Sequence, residues 1–158
     1  MTHELEIRSI ALFYFFAVLD GRQAQELAVE ATKIFKRKLA ANSQMKASVA
    51  MVAATKFVWD QRKKKLIRGR PNYAMDSGWI ISQDLDMSPW MEFQKTAQEE
   101  ELLSVIWHQV LNISESDISD GLKVSQGTLR YRVGRGLRKL GTISLPGGGK
   151  SAKLGVVK

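Results

Sequence analysis

The stretch Val124–Leu140, "VSQGTLRYRVGRGLRKL", carries five positive charges and no negative one in seventeen residues. Arginine offers a planar fork of N–H donors that fits phosphate oxygens and the guanine edge, and glutamine fits the adenine edge. Leu129, Val133, Leu137 and Leu140 fall at i, i+4, i+8 and i+11, one face of a helix. That face is committed to a core, which sends Gln126, Arg130, Tyr131, Arg135 and Arg138 outward. Ser125 is placed to cap the helix, and the free amides of Gln126 and Gly127 behind it suit a phosphate. Two readings stand: a helix that enters a DNA groove, or a bundle helix with a solvated basic face.

The elements upstream bear on that choice. Glu101–Leu111, "ELLSVIWHQVL", reads as an apolar helix that ends at Asn112. Ser114 can cap the short helix that follows, with Asp117 as the carboxylate of a variant capping box and Ile118 and Leu122 facing inward. A tight turn at Lys123-Val124 comes next; a left-handed lysine there costs ~1 kcal/mol. Short helix, tight turn and long basic helix form the layout of a helix-turn-helix, which favours DNA.

Helical periodicity governs the N-terminal half as well. Ile10–Leu19, "IALFYFFAVL", is too short to cross a bilayer and lacks the flanks of a signal peptide, so it reads as a core helix without membrane insertion. Gln23–Leu39 aligns Leu27, Ala31, Ile34 and Phe35 on one stripe, and Met45, Val49, Val52 and Ala53 begin a third helix that runs into Lys63-Lys64-Lys65. From Gly69 the pattern lapses. Arg70-Pro71 and Ser88-Pro89 break helices, and the segment reads as an acidic linker with apolar anchors at Trp79, Ile80, Ile81 and Trp90. Helices resume near Gln98, and the closing "PGGGKSAKLGVVK" reads as a flexible basic tail. The expected fold class is all-α, with helical domains over 1–68 and 97–145, a linker over 69–96 and a tail over 146–158.

The net charge of +8 is distributed in blocks: +6 over residues 56–70, −6 over 71–101 and +6 over 102–158. Basic blocks of this kind favour a polyanionic partner. The absence of cysteine excludes disulfides, thiol catalysis and zinc fingers and fits a reducing cytoplasm. His3 and His108 lie at no metal-ligand spacing. "GGGKS" fails as a phosphate-binding loop, because position 144 would have to be glycine and is Ser144, and no strand precedes it. The expectation is a protein that is not an enzyme and takes no cofactor or metal.

The segment "ISESDISDGLKVSQGTLRYRVGRGLRKL" resembles the −35-recognition domain of bacterial sigma factors, L-S-x-x-E-I-A-E-x-L-G-I-S-E-G-T-V-K-S-R-L-x-R-A-R-x-x-L, without a gap over twenty-eight residues. Ile118, Leu122, Val124, Ser125, Gly127, Thr128, Arg132, Arg135 and Leu140 match in place, while Gln126, Leu129 and Arg130 replace Glu, Val and Lys. "AQELAVEATKIF" resembles the core-binding helix of the small extracytoplasmic-function sigma factors through Ala24, Glu26, Leu27 and Glu30. "VAMVAATKFVWDQRKKK" resembles their next conserved helix through Val49, Val52, Ala53 and Arg62. Ser48 stands where that family has tryptophan, Thr55 where it has asparagine and Val29 where it has glutamine, and the loop Ala40–Lys46 is short.

The resemblance implies two helical domains, one for core binding and the −10 element and one for the −35 element, joined by a linker. It implies RNA polymerase core, double-stranded promoter DNA and an anti-sigma protein as partners. Glu26, Leu27 and Glu30 would face the polymerase, with packing an equal explanation for Leu27. Ser125, Gln126, Thr128, Arg130, Tyr131, Arg132, Arg135 and Arg138 would read or anchor −35 DNA. Arg62, Lys63, Lys64 and Lys65 would hold phosphates near the −10 element, while Phe57 and Trp59 would stack on unpaired bases or belong to the core. Asp76, Asp84 and Asp86 would thread polymerase channels, or Trp79 and Trp90 would dock the linker on a domain. The expected function is transcription initiation as a sigma factor. The alternative is a sigma-like regulator that binds DNA or polymerase without melting a promoter, and Val29, Ser48 and the short loop favour it.

Overall fold

A computed structural model describes residues 3–66 and 86–144. The elements are α1 (Glu4–Val18), α2 (Gly21–Ala41), α3 (Ala47–Arg62) with a 3-10 turn at Lys63–Lys65, α4 (Ser88–Thr96), α5 (Glu99–Val105) continuing into a π turn at Ile106–Val110, α6 (Glu115–Leu122) and α7 (Gln126–Ser144). Among the described residues there is no strand, so the all-helical expectation holds at that level. The tail 146–158, and Trp79, Ile80, Ile81, Asp76 and Asp84 of the linker, lie outside the described residues.

Local chemistry sets the helix ends. The Asp20 carboxylate accepts from the Arg22 and Gln23 amides at 3.0 Å and starts α2. Leu19, just before it, adopts φ 53°. A left-handed leucine costs about 1–2 kcal/mol, and full burial of its side chain offsets this with about 1.5–3 kcal/mol. Asn112, φ 57°, ends the α5 segment, a conformation asparagine tolerates well.

Helix α3 is the centre of the molecule. Ala50, Met51, Val52, Ala54, Thr55, Val58 and Trp59 are all buried, and α1 and α2 pack on α3 as does α6 from the C-terminal half. The α6 contact is backbone-close: a Cβ on Gly121 would lie 2.7 Å from Val52 Cβ and 3.0 Å from the Val49 carbonyl oxygen. Polar groups fix the same junction. Ser48 Oγ donates to Asp117 at 2.6 Å and Lys46 Nζ at 2.9 Å, and Trp107 Nε1 donates to Thr55 Oγ1 at 3.0 Å. Tyr14 Oη donates to the Thr55 carbonyl at 2.7 Å, and Phe13 stacks on Trp107 at 5.1 Å.

The sequence places residues 88–96 in a linker; they form α4. Pro89 does not break this helix because it lies in the first turn, where its missing N–H leaves no bond unmade. Trp90 Nε1 donates to the Phe16 carbonyl at 2.9 Å and Gln94 Nε2 to the Ala17 carbonyl at 3.0 Å, meeting acceptors that the C-terminal end of α1 leaves open. Trp90 therefore docks this segment on α1. The helices either side of the 69–96 division share one buried core, with Phe13, Leu27 and Trp59 from one half and Leu103, Trp107 and Leu129 from the other.

Candidate nucleic-acid interface

The C-terminal surface is built from α6, its turn and α7. Ser114 Oγ accepts from the Asp117 amide at 3.1 Å and opens α6, and the Asp117 carboxylate accepts from Ser48 and Lys46 of the N-terminal half. Lys123 takes φ 61°, ψ 44°, the left-handed turn residue, and the Val124 amide donates back to the Ser119 carbonyl at 3.1 Å. Ser125 Oγ accepts from the Thr128 amide at 3.0 Å and starts α7.

Leu129, Val133, Gly136 and Leu140 are buried and Leu137 is half-buried, so the inward stripe is as read from the sequence. Gly136 sits where a Cβ would be 2.6 Å from Val105 Cγ2 and 3.2 Å from the Glu101 carbonyl oxygen, which seats α7 directly on α5. Ser125, Gln126, Thr128, Arg130, Tyr131, Arg135 and Arg138 are exposed and Arg132 is half-buried. This is a 19-residue helix, about 28 Å long, with one side in the core and a basic, aromatic side in solvent.

Two of its arginines are held from within. Arg130 Nε donates to Glu115 at 3.1 Å, and Glu115 also lies 3.9 Å from His108 Nε2. Arg135 Nε donates to Glu101 at 2.9 Å, and its guanidinium lies 5.7 Å from the Tyr131 ring centre. The Glu101 bond holds the Arg135 proton more tightly than in a free guanidinium. The two pairs differ in setting. Glu115 is 32% exposed and Glu101 only 8%, so solvent or a phosphate can replace the first pair far more readily than the second. Arg132 and Arg138 have no carboxylate partner among the described residues. Sequence reasoning missed Glu101 and Glu115, whose approach depends on how α5 and α6 meet α7.

The N-terminal candidates do not come together as one surface. Leu27 and Trp59 are 2% and 1% exposed, so here they are core residues; their large apolar areas are buried where α1, α2 and α3 meet. Arg62 forms a two-point ion pair with Glu30, joining a residue expected on DNA to one expected on polymerase. That bond lowers the Glu30 pKa and raises that of Arg62. Lys63 donates to Glu99 at 2.9 Å, which raises its pKa. Lys64, Lys65, Glu26 and Phe57 are exposed. Asp86 accepts from the Ser88 amide at 3.0 Å in the turn that leads into α4.

Among the described residues no helix is long and apolar enough to cross a membrane, and no group of three or more His, Cys, Asp or Glu could hold a metal ion. No protein-family model, curated protein or solved structure matches the chain.

Proposed function

We propose that this chain is a sigma-like helix-turn-helix protein that reads duplex promoter DNA through α7 without itself melting the promoter. One observation carries the reading. Behind a capped, left-handed turn, α7 exposes Gln126, Arg130 and Arg138 opposite the buried Leu129, Val133, Gly136 and Leu140. A helix of this kind fits the major groove, where its N-terminal residues meet base edges and its arginines meet phosphates. The no-melting part is supported by α3, whose Ser48, Val52 and Thr55 are covered by the C-terminal half and whose Trp59 is buried.

Binding of fluorescent duplexes across a salt series tests this. Affinity should fall steeply with salt, and Arg130→Ala should weaken binding by about 1–3 kcal/mol. Unchanged binding by Arg130→Ala would sink the reading. The sigma-factor reading retains one observation in its favour: Glu26, which the resemblance places on the polymerase, is exposed on α2. Binding to polymerase core followed by run-off transcription from duplex and from pre-melted templates separates the two. Transcription from intact duplex would establish initiation by this chain.

A further inference from the structure

Within the duplex-reading proposal, on which this inference rests, we infer that Arg135 is a positioning residue that holds the Tyr131 ring in the DNA-facing surface and is not itself a DNA contact. Tyr131 is 62% exposed, and an aromatic ring so free of packing would ordinarily spread over several rotamers. Arg135, one turn further along α7, sits over the ring at 5.7 Å. Its own position is fixed at the other end by Glu101 at 2.9 Å. Glu101 belongs to α5, and α5 and α7 are in backbone-close contact at Gly136, so the support behind Arg135 is rigid. The path from core to surface is therefore Glu101, Arg135, Tyr131.

The setting of Glu101 is what separates Arg135 from Arg130. If Arg135 swung out to a phosphate, it would strand a carboxylate that is only 8% exposed, a far costlier exchange than releasing the open Glu115 pair of Arg130. Tyr131 thus presents a fixed apolar ring on the same helix face as Arg138, suited to contact with a thymine methyl or a base edge in the groove.

The test uses the full chain and a duplex that the wild-type protein selects from a randomised pool, with a random duplex of equal length as reference. Tyr131→Ala and Arg135→Ala should each lower the ratio of selected to random affinity by roughly tenfold, the size of one lost base contact, with the salt slope unchanged. Glu101→Gln should also lower that ratio while steepening the salt slope, since it frees a guanidinium for phosphate. If Glu101→Gln or Arg135→Ala does not fold, the double variant Glu101→Gln/Arg135→Ala, which removes the carboxylate charge together with its partner, is read in the same way as Arg135→Ala. A salt slope reduced by about one in Arg135→Ala would mean a direct phosphate contact and overturn the inference, as would an unchanged affinity ratio. Arg130→Ala keeps the two ideas apart: if the wild type selects no duplex, or Arg130→Ala binds normally, the duplex-reading proposal fails first and takes this one with it.

Discussion

At Asp117, burial opposes the charge, yet hydrogen bonds from Ser48 and Lys46 outweigh it and hold the carboxyl below the ordinary aspartate range. The two donors are unequal. Lys46 is 67% exposed, so its pairing with Asp117 is screened and contributes below about 1 kcal/mol. Ser48 is half-buried and bonds at 2.6 Å, so Ser48→Ala should cost about 1–3 kcal/mol against less than about 1 for Lys46→Ala, measured by urea unfolding. The pH dependence follows from the lowered pKa. The contribution of Asp117 is present above its unfolded value, near 3.9, and is lost as pH falls through the lower folded value. Asp117→Asn should therefore lose stability at neutral pH and show a shallower acid limb below about pH 4. Ser48 and Thr55 stand out in the sequence as departures from the sigma pattern. Their roles were illegible because their partners, Asp117 and Trp107, lie 69 and 52 residues away.

Among the elements, the closeness of helix contacts can be tested at glycines on one helix. Gly136→Ala would force a Cβ to 2.6 Å from Val105 Cγ2 and 3.2 Å from backbone of α5, and should destabilise by about 1–3 kcal/mol. Gly134→Ala meets only Arg138 Nη1 at 3.6 Å, and should stabilise by up to about 1 kcal/mol through helix propensity. Opposite shifts of the thermal midpoint in the two variants would verify the seating of α7; equal shifts would contradict it. Helix ends at Asn112, Ser114 and Ser125 were legible because caps are local. Helix α4 was not, since Pro89 signals a break or a first turn with equal force, and the choice rests on Trp90 and Gln94 finding the carbonyls of α1.

Over the whole molecule, the charge blocks were legible as numbers, but their destination was not. Part of the basic block at 56–70 is already paired at the surface: Arg62 meets Glu30, and Lys63 meets Glu99 from the acidic stretch. The Lys63–Glu99 pair, with the Ser48–Asp117 and Thr55–Trp107 bonds, ties the N-terminal helices to the C-terminal ones around α3, while Arg62–Glu30 joins α3 to α2. Two domains on a loose linker would unfold separately, each with its own midpoint, whereas helices sharing one core lose that core together. The expected behaviour is a single urea transition, followed by hydrogen exchange in both α3 and α7. Ser48→Ala should move the protection of both helices by the same free energy. A variant that lowered protection in α6 and α7 while leaving α1–α3 unchanged would show that the halves come apart. In that case the face of α3 now covered by α6 would be free to meet a partner. The same measurement therefore bears on function, because α6 withholds the face of α3 that it covers from any partner while leaving the exposed side of α7 open.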